Sequence, residues 1–150
     1  MVFDAPLLAA ISAASIRQIS SFSLQNLSIT AWAVAKLECA DGPLFDAISS
    51  AALPNLPQCS PQNLTNFAWA YSALRFANEP FLDAISPAAI AKLTAYNAQH
   101  VANTAWAYAI LVISHSPLFE SLAAQALNIL VEFSNQNISN TAWSFATRLL

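Results

Sequence analysis

Hydrophobic and polar positions along this chain recur with a period of 37 residues, in two separate blocks. The first block reads QNLSITAWAVAKL, QNLTNFAWAYSAL, AQHVANTAWAYAIL and QNISNTAWSFATRL, around Trp32, Trp69, Trp106 and Trp143. The second block reads PLLAAIS, PLFDAIS, PFLDAIS and PLFESLA, starting at Pro6, Pro43, Pro80 and Pro117. Two motifs with one period and no gap indicate a single array of repeats over residues 1–150, with boundaries near 6–42, 43–79, 80–116 and 117–150.

The tryptophan block predicts one helix per repeat, here named helix A. A short polar residue that can cap the helix precedes each copy: Ser23, Ser60, Asn97 and Ser134. An apolar residue before each cap and another five positions later have the spacing of a hydrophobic staple. Helix A should run for about 15 residues, to near Ala40, Ala77 and Ser114 in the first three copies. Gly42 is placed to end the first copy.

The proline block predicts a second helix, named helix B. Proline suits the first turn, because its φ is fixed and the missing N–H would have no partner there. The helix dipole favours acidic residues near the N-terminus of a helix, and three of the copies carry one there: Asp46, Asp83 and Glu120. The copies should continue to roughly Ile19, Leu53, Leu93 and Leu130. Pro54 and Pro57 should shorten the second copy, and Pro87 should kink the third.

These elements predict an all-α fold, an α-solenoid of about eight helices in the order B-A-B-A-B-A-B-A. The array starts on a B helix and ends on an A helix, without a polar capping repeat at either end. Bare ends would expose apolar surface, so we expect either a piece of a longer array or ends that a partner covers.

Polarity that recurs in every repeat is confined to the N-terminal part of helix A. A helical projection of the third copy places Val101, Ala105, Tyr108 and Val112 on one face, packed on helix B, and Gln99, Asn103, Trp106 and Ile110 on the other. Both faces are largely apolar beyond the first turn, which is typical of a helix buried between neighbours. The recurrent polar positions are Gln25, Gln62, Gln99 and Gln136; Asn26, Asn63, His100 and Asn137; Ser28, Thr65 and Ser139; and Asn66, Asn103 and Asn140.

Stacked repeats would align these side chains into a strip beside successive helix N-termini. One interpretation is a groove for an extended ligand, because amides can read base edges and helix N-termini attract phosphate. The alternative is structural: polar residues of a first turn often only cap the helix. The tryptophans, flanked by small residues, are predicted to belong to the core rather than to stack on bases.

Composition limits the possible functions. The chain is 57% hydrophobic and carries 5 Lys+Arg against 8 Asp+Glu, for a net charge of −3. Such a composition excludes a disordered chain and a free-standing basic nucleic-acid module. The longest apolar run, residues 105–113, is far shorter than the ~18–20 residues of a membrane span, so no membrane association is expected. The first residues show no targeting segment.

No combination of residues predicts catalysis, a metal or a cofactor. A single glycine excludes glycine-rich phosphate loops. His100 and His115 are isolated, and Cys39 and Cys59 form neither a disulfide framework nor a metal site. We therefore expect a protein that is not an enzyme and needs no cofactor.

The 37-residue spacing, with (N/S)xxNxxNTAWAxA and PLFDAIS, resembles the heptatricopeptide and octotricopeptide repeats, and is similar to the helical repeats of proteins with FAST-kinase-like or RAP domains. The resemblance implies an RNA-binding α-solenoid of mitochondria or chloroplasts that acts in RNA processing, RNA stability or ribosomal-RNA assembly. Related solenoids read bases with the second and fifth residues of helix A, here Gln25, Gln62, Gln99 and Gln136, and Ser28, Thr65, Ala102 and Ser139. With Asn66, Asn103 and Asn140, these residues (Ala102 excepted) are the candidate RNA-binding set.

Two functions compete at this point. The first is sequence-tolerant or weakly specific binding of single-stranded RNA, and the second is a protein-interaction scaffold whose groove or ends hold another protein in a larger assembly. Charge distinguishes them. Grouping of the basic side chains on one side would favour RNA and scattering would favour protein: Lys36, Arg75, Lys92 and Arg148.

Overall fold

A computed structural model describes residues 4–147 of the chain, and all regular structure within that range is helical. The A helices are α2 (Leu24–Lys36), α4 (Pro61–Ala73), α6 (Ala98–Ile110) and α8 (Asn135–Ala146). The B helices are α1 (Ala5–Gln18), α3 (Gly42–Ala52), α5 (Glu79–Ile90) and α7 (Ser116–Asn128). The predicted all-α fold and its alternating order of eight helices are confirmed. The last three residues of the expected final helix, 148–150, lie outside the described range.

Each B helix is followed by a short 3-10 segment: Ile19–Ser21, Leu53–Gln58, Leu93–Ala95 and Leu130–Glu132. The second segment contains Pro54 and Pro57, and α3 before it is the shortest of the eight helices, as expected from the missing N–H groups of proline. Helix α5 continues through Pro87 to Ile90. Within residues 4–147, none of the helices combines the length and apolar character that crossing a membrane requires.

The helices form two layers that share one core. Each A helix packs on the next one, in the series α2, α4, α6 and α8, while α1 packs on α3 and α5 on α7. The 3-10 segment Leu53–Gln58 contacts both α3 and α5. Small residues allow the A helices to approach closely, since Ala68 and Ala105 are fully buried in the core. The arrangement is that of a solenoid, in which every repeat buries its apolar surface on its neighbours.

The predicted caps of the A helices are confirmed. Ser23, Ser60, Asn97 and Ser134 each accept a hydrogen bond from the backbone N–H three residues later. In α4, α6 and α8 the bond is reciprocal, because Asn63, His100 and Asn137 accept from the backbone N–H of the capping residue. These polar residues of the strip therefore stabilise helix starts.

The starts of the B helices are stabilised by residues other than the acids that the sequence analysis placed near the helix N-termini. The repeated prolines do lie in the first turn, but Asp46, Asp83 and Glu120 lie in the second, where the helix dipole acts weakly. The caps are Asp4, Asp41 and Asn78, whose side chains accept from the N–H groups of Leu7, Leu44 and Phe81.

The A helices end earlier than expected, and without glycine. After Lys36, Ala73 and Ile110, a residue with a left-handed backbone follows the cap: Glu38 at φ 54°, Arg75 at 53° and Val112 at 56°. The N–H of the next residue then donates to a carbonyl five positions back, as Cys39 does to Val34. This is a Schellman ending. The expectation that Gly42 ends the first copy is wrong, because Gly42 is the first residue of α3.

Val112 offers a test of this ending. It does not pack on helix B as the projection suggested, because it is 88% exposed. A β-branched residue in the left-handed region is strained by about 1–2 kcal/mol, and glycine is not, although glycine loses more entropy on folding. We expect Val112→Gly to raise the free energy of unfolding by about 1 kcal/mol, measured by urea denaturation. Arg75→Gly, at the unbranched equivalent, should gain less, and a loss of stability in Val112→Gly would contradict the assignment.

Candidate functional site

One side of the A helices faces solvent along the array. In α6 this side carries Gln99, Asn103 and Trp106, with Gln99 exposed and the other two half-buried. The expectation that both faces of helix A are buried between neighbours is therefore wrong. We name this surface the A face. It consists of the residues equivalent to those three: Gln25, Gln62, Gln99 and Gln136; Ile29, Asn66, Asn103 and Asn140; Trp32, Trp69, Trp106 and Trp143.

The tryptophans form a row on the A face. The ring centroids of Trp32 and Trp69 are 6.4 Å apart with planes inclined at 42°, and those of Trp69 and Trp106 are 6.5 Å apart and inclined at 24°. The near-constant spacing confirms that these tryptophans occupy equivalent places. The assignment of the tryptophans to the core is wrong for Trp32 and Trp143, which are 41% and 45% exposed. Trp69 and Trp106 are half-buried.

Amides of the strip form a hydrogen-bonded chain between α4 and α6. The backbone N–H of Asn97 donates to Nδ1 of His100, so the neutral imidazole carries its proton on Nε2. That nitrogen lies 3.2 Å from Oε1 of Gln62, whose Nε2 in turn donates to Oδ1 of Asn66. Burial lowers the pKa of His100 below its ordinary value of 6.5, so the ring is neutral at pH 7. His100 therefore links two repeats and provides no positive charge for a ligand.

Other amides of the A face are not engaged. Within residues 4–147, the side chains of five candidates form no hydrogen bond to another residue: Gln25, Gln99, Gln136, Asn103 and Asn140. Each amide offers two N–H donors and one carbonyl acceptor. These five side chains keep their full hydrogen-bonding capacity for a ligand.

The fifth position of helix A is closed in the first three repeats. Ser28 is buried and accepts from Nδ2 of Asn63, while Oγ1 of buried Thr65 lies 3.4 Å from Oγ1 of Thr104. Ala102 is buried as well. Ser139 is exposed, and its hydroxyl donates to the carbonyl of Asn135. In the first three repeats the fifth position is therefore buried beneath the exposed second position.

Two neighbouring clefts cross the A face and share Gln99 and Asn103. The first has a volume of about 280 Å³ and is lined by Trp32, Gln62, Thr65, Asn66, Trp69, Gln99 and Asn103. The second, of about 290 Å³, is lined by Gln99, Asn103, Ser134, Gln136, Asn137 and Asn140. Aromatic rings line the first cleft, and unengaged amides line both.

The basic residues are divided between the two layers. Nζ of Lys36 lies 5.9 Å from the ring centroid of Trp69, a cation–π contact on the A face. Arg75 lines a cleft of about 400 Å³ that includes Trp143. Lys92 instead lines a cleft beside α5 and the 3-10 segment Leu53–Gln58. Arg148 lies outside the described residues. The sequence analysis did not predict that Lys36 lies close to Trp69. A signal was available, because Trp69 is the tryptophan of the next repeat, 37 residues after Trp32.

Within residues 4–147 no three His, Cys, Asp or Glu side chains lie close enough together to hold a metal ion. Burial raises the pKa of the Cys59 thiol to about 11, so it stays protonated and a weak nucleophile at neutral pH.

Fold and surface define an α-solenoid with an aromatic and amide-lined face. Residues 4–149 match the family described as RNA-editing substrate-binding complex 6 protein, and the chain belongs to that family. The match supports the resemblance at the level of a helical protein associated with RNA, and it does not specifically show heptatricopeptide, octotricopeptide or RAP-domain repeats. No curated protein matches the chain.

Proposed function

We propose that this chain is a non-catalytic, single-stranded RNA-binding subunit of a larger RNA–protein assembly. The observation that carries the proposal is the A face, where unengaged amides lie beside a row of tryptophan rings. Amides hydrogen-bond to base edges, and aromatic rings stack on bases of any sequence. The description of the family, a component of an RNA-editing substrate-binding complex, supports both RNA and protein partners.

The A face carries little positive charge, which sets the strength of binding. With Lys36 and Arg75 as the described basic residues near the face, few phosphates are neutralised. Affinity for RNA rises with the number of counterions released, and so does its dependence on salt. We therefore propose that the isolated chain binds RNA weakly and with a shallow salt dependence, and that the assembly provides the remaining contacts.

The test removes the two amides that both clefts share. Gln99→Ala combined with Asn103→Ala should weaken binding of labelled single-stranded RNA by roughly tenfold, because each lost hydrogen bond is worth about 0.5–1.5 kcal/mol. Neither side chain forms a hydrogen bond within residues 4–147, so folding should be unaffected. Fluorescence anisotropy at two salt concentrations measures affinity, and circular dichroism checks helicity.

A matched control replaces two exposed amides of the B layer, Gln18→Ala with Asn128→Ala. This variant should bind RNA like the parent chain. Equal affinity of the parent and the Gln99/Asn103 variant would remove the amide strip as the RNA site. Absence of any RNA binding by the parent chain at low salt would refute the proposed function.

A specific observation favours the alternative, a protein-interaction scaffold. A cleft of about 440 Å³ lies on the side of the B helices and is lined mostly by apolar residues, among them Leu53, Leu56, Pro57 and Pro87. Lys92 also lines this cleft, away from the A face. The division of basic residues between two layers agrees with a protein partner on the B side.

For localisation we propose the mitochondrion, one of the two organelles that the resemblance implies, and chloroplasts receive no support from the family match. A closer relation to heptatricopeptide or octotricopeptide repeats stays a proposal that rests on the 37-residue period.

A further inference from the structure

We propose that the cleft between Trp32 and Trp69 is a nucleobase site, in which one base of single-stranded RNA stacks on the indole rings. Its polar edge points to the amides of α4 and α6, and its phosphate lies towards Lys36. This inference rests on the proposed function and assigns the parts of the nucleotide to named side chains.

The aromatic wall of the site is open to solvent. Trp32 is 41% exposed, and its ring lines the 280 Å³ cleft together with that of Trp69. The two rings are already in direct contact, because centroids 6.4 Å apart lie within the range of about 4.5–7 Å for an aromatic pair. A base therefore stacks on the exposed indole surface at the mouth of the cleft, chiefly that of Trp32, and does not enter between the two rings.

The polar wall of the site faces the edge of the base. Gln99, Asn103 and Asn66 line the same cleft as the two rings. The unengaged amides of Gln99 and Asn103 can rotate to present either a donor or an acceptor. Such a wall accepts the edges of several bases, so the site should be tolerant of sequence.

Charges and caps determine where the phosphate lies. The caps of α4 and α6, Ser60 and Asn97, already occupy the N–H groups of Asn63 and His100, which reduces the attraction of these helix starts for an anion. Lys36 stands in the last turn of α2, 5.9 Å from the Trp69 ring centroid. A base between the rings and the amides would therefore leave its phosphate towards the last turn, beside Lys36.

The experiment compares a short labelled oligo(U) with a ribose-phosphate oligomer of equal length that lacks bases. The parent chain should bind oligo(U) at least tenfold more tightly than the abasic oligomer. Trp32→Ala should weaken oligo(U) binding by about tenfold and leave abasic binding unchanged, while Trp32→Phe should keep most of the affinity. Leu127→Ala, an exposed apolar residue of α7, is the control for a general change of surface.

Lys36→Gln tests the position of the phosphate. Loss of one contact should reduce the slope of log affinity against log salt by about 0.7. If the parent chain binds oligo(U) and the abasic oligomer equally well, and Trp32→Ala changes neither, RNA binding stands and the nucleobase site is overturned. If the parent chain binds neither oligomer at low salt, the proposed function fails and the nucleobase site fails with it.

Discussion

Replacement of Tyr108 by alanine is expected to lower the free energy of unfolding by about 4 kcal/mol, the usual cost of removing a buried aromatic ring. Tyr108 is fully buried in α6, and its hydroxyl donates to the carbonyl of Leu82 in α5 at 2.6 Å while accepting from Ser86. The substitution removes the ring from the core between the layers and leaves the Ser86 hydroxyl without this partner. Urea denaturation followed by circular dichroism measures the change.

Tyr108→Phe separates the hydroxyl from the ring. It should cost about 1–2 kcal/mol, because the buried Ser86 hydroxyl loses a partner while the packing remains. Burial raises the pKa of Tyr108 well above its ordinary value, so the hydroxyl stays protonated as a donor. Tyr71 donates to the carbonyl of Phe45 in the same way one repeat earlier, at 2.5 Å, and Tyr71→Phe should cost a similar amount.

The equivalent position in the last repeat provides a control for Tyr108→Ala. Phe145 occupies the equivalent position in α8, where it is only partly buried and contacts Phe119 edge to face. Phe145→Ala should therefore cost clearly less than Tyr108→Ala. Equal losses at both positions would show that burial by the following repeat does not determine the contribution of this side chain.

Helix starts could be predicted from the sequence because their causes are local. The cap at Ser60 and its partner Asn63 are three residues apart, and a proline stands in the first turn of every B helix. Helix ends could not, since Glu38, Arg75 and Val112 take a left-handed backbone that their residue types disfavour. Backbone hydrogen bonds such as that from Cys39 to the carbonyl of Val34 close these ends, whereas Gly42 begins the next helix.

The site was predicted only in part for a related reason. The projection correctly placed Trp106 on the same face as Gln99 and Asn103, but the periodic pattern does not tell which face another layer covers. The fifth position, Ser28 and Thr65, points to the neighbouring A helix and is buried there. Burial depends on the distance between repeats, which only the packed array determines.

The distance between neighbouring A helices can be tested directly at the small residues that precede the tryptophans. Ala68→Leu is expected to lower the free energy of unfolding by about 3 kcal/mol, at the upper end of the cost of overpacking a tight core. Ala68 is fully buried in α4, which packs on α2 and on α6, so the added carbons have no free space to fill. Thermal or urea unfolding of the purified variant measures the loss.

Ala142 is the matched control, since it precedes Trp143 at the equivalent position of α8 and is exposed. Ala142→Leu should change stability by less than about 0.5 kcal/mol, as surface substitutions usually do. Because the same substitution is made at the equivalent position before a tryptophan, a difference between the two variants reports mainly the contact between A helices. Similar stability of both variants would mean that the A helices can move apart, and the close row of tryptophan rings would then not be fixed by the array.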